Sequence, residues 1–61
     1  MVSPTNDLLA RAEYEDGKAR RCDVLARLAR RNKNGALKAL WELYAKQARD
    51  MAVQLRELAT I

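Results

Sequence analysis

The stretch from Leu37 to Leu58 constrains this chain more than any other. Its apolar residues Leu37, Trp41, Tyr44, Ala48, Met51, Leu55 and Leu58 follow one another in steps that alternate four and three without a miss. That spacing draws one apolar stripe along an α-helix and suits packing against other helices. An earlier stretch repeats it with smaller residues: Leu8, Ala12, Glu15, Ala19, Cys22, Ala26 and Ala29. Between the two lies Asn32-Lys33-Asn34-Gly35, a strong helix breaker. The pattern predicts two long helices, over about residues 5–31 and 36–59, each near 40 Å at a rise of about 1.5 Å per residue. A short connection between helices of matched length implies an antiparallel hairpin. The fold class is all-α, with residues 1–61 as a single domain. No alternating β-branched or aromatic run suggests a strand.

Local signals agree with this outline. Ser3 suits a helix cap and Pro4 a first helical position. Asp7 complements the dipole of the first turn, and Arg30 and Arg31 that of the last. Asn32, Asn34 or Gly35 is expected to take the left-handed conformation that ends the first helix, with Asn34 capping the second. Gly17 costs about 1 kcal/mol relative to alanine inside a helix, and Asp16-Gly17 could mark a turn. The four-three phase passes through it unchanged, so one continuous helix is expected.

Size forces the next step. A chain of 61 residues is small: it buries only about 60% of the surface its unfolded form exposes. Small proteins add disulfides, a metal or oligomerisation. Cys22 is the only cysteine and histidine is absent, which excludes an internal disulfide and leaves no zinc ligand set. No cofactor is expected. Dimerisation remains, with two hairpins forming a four-helix bundle. The second helix supports this, because its apolar face is about 200° wide, more than one partner helix covers. The first helix offers a seam of small residues, expected to receive Trp41, Tyr44 and Met51. One surface, centred on Trp41 and Ala48, is expected to close the hairpin. Another, centred on Leu40, Leu43 and Leu58, is expected to meet a further molecule. The candidate interface for a second copy or a partner is Leu37, Leu40, Trp41, Leu43, Tyr44, Met51, Leu55 and Leu58. Lys38, Arg49 and Arg56 border the stripe on one edge, Asp50 and Glu57 on the other. Two antiparallel copies would then have complementary flanks.

The residues available for chemistry are few. Without histidine, and with Ser3, Thr5 and Thr60 as the only hydroxyls besides the tyrosines, no acid–base or nucleophilic constellation forms. Gly17 and Gly35 are isolated, so there is no phosphate-cradling loop. Glu13, Glu15 and Asp16 read as helix-surface carboxylates. The chain is not expected to be an enzyme. Twelve Lys and Arg against eight Asp and Glu leave a charge of +4, which suggests an anionic partner. Arg20, Arg27 and Arg31 align within about 40° on the outer face of the first helix. Arg30 and Lys33 extend that charge toward the turn, and such a row could follow a phosphate backbone. No aromatic residue shares the row to stack on bases. The expected function is that of a protein-interaction module, a dimeric hairpin that binds and regulates a larger protein. A small nucleic-acid-binding regulator is the alternative. Asp23, Glu42, Asp50 and Glu57 make a membrane-surface role unattractive. A lone cysteine, no signal peptide and no apolar run of about 18 residues point to a soluble, cytoplasmic protein.

Overall fold

The structure, a computed structural model, describes residues 4–61. Helix α1 spans Pro4–Arg31 and α2 spans Gly35–Ala59, packed together as an antiparallel hairpin. Pro4 opens α1; the cap expected at Ser3 lies outside the described residues. Helix α1 runs unbroken through Gly17.

The connection between the helices is a Schellman turn. The Lys33 N–H donates to the Arg30 carbonyl at 3.0 Å and the Asn34 N–H to the Ala29 carbonyl at 2.8 Å, the paired bonds that close this motif. The left-handed residue is Lys33, with φ 57°, rather than either asparagine or Gly35. These two bonds require the left-handed residue immediately before Asn34, whatever its side chain. Lysine there accepts a cost of about 1–2 kcal/mol that glycine would avoid. Asn34 caps α2 as its sequence position implies, its side-chain oxygen accepting the Leu37 N–H at 3.1 Å.

The seam of α1 matches its spacing. Ala12, Glu15, Ala19, Cys22, Ala26 and Ala29 are all buried, with Leu8 half-buried at one end. The seam of α2 is the surface expected around Trp41 and Ala48, without the Tyr44 and Met51 that were also expected to enter it. Its buried residues are Ala45, Ala48, Ala52 and Leu55, flanked by half-buried Trp41 and Ala59. This series also alternates three and four, but it shares only Trp41, Ala48 and Leu55 with the stripe of large residues. Tyr44 and Met51 therefore do not enter the alanine seam of α1, and remain 43% and 41% exposed. The reason is steric. Alanine facing alanine lets two backbones approach closely, and no ring or thioether fits between them. Among the described residues, Leu55 is the one large aliphatic side chain in the core. The result is a layer one helix thick, with Cα extents of 47 × 18 × 9 Å.

Gly17 is a site where stability can be gained. A Cβ there would meet only the ends of the Arg21 and Arg20 side chains, at 3.7 and 3.8 Å, which is ordinary contact. Gly17→Ala should stabilise the hairpin by about 1 kcal/mol and raise its melting temperature by roughly 4–8 °C. Thermal circular dichroism measures this; an unchanged or lower midpoint would contradict a regular helix at this position.

Candidate interaction interface

A layer one helix thick has two sides, and here they differ in chemistry. On one side Asp16 pairs with Arg56 and Asp23 with Arg49. The pairs stand one heptad apart on each helix and run in opposite directions, as antiparallel packing requires. One heptad further, Arg30 and Glu42 line a common groove with Asp23 and Lys38, where Lys38 bonds Glu42 at 2.9 Å. Arg49 and Arg56 border the apolar stripe, where the spacing alone offers them either to solvent or to the flank of a second copy. Instead they are engaged inside the hairpin by the acids of α1.

Asp16 carries the electrostatic signature of this side. Its carboxyl lies below the ordinary 3.8, chiefly because Arg56 donates a hydrogen bond to it. Desolvation opposes this as the next largest effect, and the charges of Arg56, Arg20 and Arg49 each add a smaller lowering. A depressed carboxylate stabilises the fold above its unfolded pKa and ceases to do so as pH falls through its folded pKa. Asp16→Asn should therefore be less stable than the parent at neutral pH, with the gap closing as pH falls below 3.8. Denaturant titrations at neutral and strongly acidic pH measure it, and a gap independent of pH would refute the linkage.

The row of arginines is interleaved with acids. Arg20 shares a groove with Glu13, Asp16 and Arg56, and Arg27 and Arg30 lie beside Asp23 and Glu42. Near the turn the picture is simpler: Arg27, Arg30, Arg31 and Lys33 are exposed and form no ion pair among the described residues. With α1 continuous, the extra helix that a helix-turn-helix reader needs is not formed.

The opposite side is apolar. Glu15, Lys18 and Cys22 of α1 and Trp41, Tyr44, Gln47, Ala48 and Met51 of α2 line a groove of about 450 Å³. Trp41 and Tyr44 meet edge to face, with centroids 5.8 Å apart and planes at 73°. Helical register carries the same side to Leu25 and Leu28 on α1 and to Leu37, Leu40 and Leu58 on α2, all of them exposed. Leu43 stands at the outer edge of α2, also exposed. Leu55 is the exception within the expected interface: at 6% exposure it packs with Ala12 and Ala52 inside the hairpin and has little surface to offer.

Two buried residues depart from the side-chain reading. Ala45 is 1% exposed yet lies outside the stripe of large residues. Its spacing to Ala48 and Ala52 was the available signal. Glu15 is buried rather than a surface carboxylate, and pairs with Lys18 at 3.1 Å. Its place in the four-three series of α1 already put it in the seam. Cys22 is a buried free thiol among these residues.

The chain matches no protein-family model, no curated protein and no solved structure. No helix among the described residues is long and apolar enough to cross a membrane.

Proposed function

We propose that this chain is a non-enzymatic protein-interaction module. Two copies pair through their apolar sides into a four-helix bundle, and the bundle binds and regulates a larger protein by inhibiting or scaffolding it. The uncovered apolar side carries this reading. Tyr44, Met51, Leu37, Leu40 and Leu58 lie between 39% and 55% exposed on one continuous strip. The hairpin exposes 4835 Å², whereas a compact monomer of 6.9 kDa would expose about 4000 Å². The excess, roughly 800 Å², equals what one partner contributes to a standard protein–protein interface. Outside such a bundle, Leu9, Val24 and Val53 remain exposed among charged residues, a mixed surface suited to a protein target.

Sedimentation at micromolar concentration should give twice the 6.9 kDa of one chain. Tyr44→Glu puts a charge on the strip but outside the hairpin seam. It should lower the mass to that of one chain while the helical signal persists. A parent monomer, or a variant that stays dimeric, would sink the apolar-side reading.

A second reading, a small nucleic-acid-binding regulator, draws on the unpaired cations Arg27, Arg30, Arg31 and Lys33 at the turn. Anisotropy with duplex DNA and RNA should then show affinity falling steeply with salt, and Arg27→Glu with Arg31→Glu should abolish binding. Absent or salt-insensitive binding removes this reading and leaves the protein-partner one.

A further inference from the structure

We infer that the turn half of the hairpin is a docking end for a nucleic-acid duplex, which it holds by the phosphate backbone while the other half points away. The inference rests on the nucleic-acid reading above. It goes beyond that reading by naming the form of nucleic acid and the end of the hairpin that meets it.

The fold sorts charge along its long axis. Lys18 and Ala48 line one groove near mid-length, and they divide the hairpin into a turn half, residues 18–47, and a terminal half, residues 4–17 and 48–61. The turn half holds nine of the twelve cations and two of the eight acids, a net charge of +7. The terminal half holds the other three cations and six acids, a net charge of −3. Ion pairing sharpens the contrast. Asp23 and Glu42, the two acids of the turn half, are engaged by Arg49 and Lys38. Six cations of that half, Arg20, Arg21, Arg27, Arg30, Arg31 and Lys33, are exposed and form no ion pair among the described residues. In the terminal half the charges without an ion pair are the acids Asp7, Glu13 and Glu57 and a single cation, Arg11. A polyanion is therefore drawn to the turn half and repelled by the other.

The arrangement of these cations favours a duplex. Arg20, Arg27 and Arg31 share the outer face of α1, in a row roughly 17 Å long at about 1.5 Å per residue. Arg30 and Lys33 carry it on to the turn. The row lies away from the groove of Trp41, Tyr44 and Met51, so a second copy on the apolar side leaves it open. A duplex carries one charge per about 1.7 Å of its axis, so a straight row meets phosphates wherever its cations fall. An acidic protein surface would need carboxylates at matching positions. Arginine also presents a fork of donors that suits phosphate oxygens. Trp41 and Tyr44 stand on the apolar side, and no aromatic residue shares the row. Bases therefore find no stacking platform, which disfavours a single strand. Contacts made to phosphate carry no sequence information.

The test compares two variants of equal net charge, Arg27→Gln in the turn half and Arg11→Gln in the terminal half. Anisotropy with a labelled DNA duplex is read across a range of salt. Arg27→Gln should weaken binding roughly threefold to tenfold and flatten the salt slope by about 0.9 for each copy in contact. Arg31→Gln, further along the row, should repeat that effect. Arg11→Gln should leave the slope unchanged, and duplexes of different sequence should bind alike. Equal losses at Arg11 and at the row would overturn the docking end and leave the nucleic-acid reading standing. A parent that binds no duplex would overturn both. A single strand bound more tightly than the duplex would overturn the choice of form. Labelled polyglutamate bound as tightly as the duplex would assign the turn half to an acidic protein surface instead.

Discussion

Alanine packed on alanine holds α1 to α2. Ala12, Ala19, Ala26 and Ala29 face Ala45, Ala48 and Ala52 across the hairpin, each nearly sealed from solvent. Small side chains bring the backbones close, but each contributes little: burial is worth about 0.8 kcal/mol per methylene. The seam is therefore tight and energetically thin. Close helices also leave no room between them for Tyr44 or Met51, so these side chains are displaced onto one side of the layer. The same choice of small residues closes the hairpin and leaves its apolar strip uncovered.

Charge completes the asymmetry. Asp16 and Asp23 reach Arg56 and Arg49 across the other side of the seam. Solvent-screened pairs of this kind add little to stability, so their main effect is on register. Along α1 the order at heptad steps is acid, acid, base, at Asp16, Asp23 and Arg30. Along α2, read the opposite way, it is base, base, acid, at Arg56, Arg49 and Glu42. A slip of one heptad would bring like charges together. An alanine seam alone is nearly uniform along its length and would tolerate that slip, so the ion pairs supply specificity that the core lacks.

Much of this was legible in the residues. The four-three series of α1 named its buried positions, although its member Glu15 was read by charge as a surface carboxylate, and the unbroken phase argued correctly for a helix through Gly17. The breaker placed the turn and Asn34 its cap. The left-handed role of Lys33 was not legible, because asparagine and glycine have lower conformational cost there; the hydrogen-bond geometry of the turn outweighed that preference. In α2, the surface around Trp41 and Ala48 was rightly expected to close the hairpin, but a stripe chosen by side-chain size added Tyr44 and Met51 to the contact and passed over Ala45. Size measures how much surface a residue would bury, and that is a different question from which face fits the neighbouring helix.

By itself the sequence determined two amphipathic helices and where the chain turns, because helical period, capping and breaking act over a few neighbouring residues. It also limited the chemistry, through the residue types it lacks. Tertiary structure decided which of two overlapping stripes on α2 faces α1, and hence which apolar residues remain outside. That choice belongs to the pair of helices: it depends on the steric fit of Ala45, Ala48 and Ala52 to the alanines of α1 and on ion pairs between residues far apart in the chain. A single helix read alone carries both stripes, and only contact with the other tells them apart.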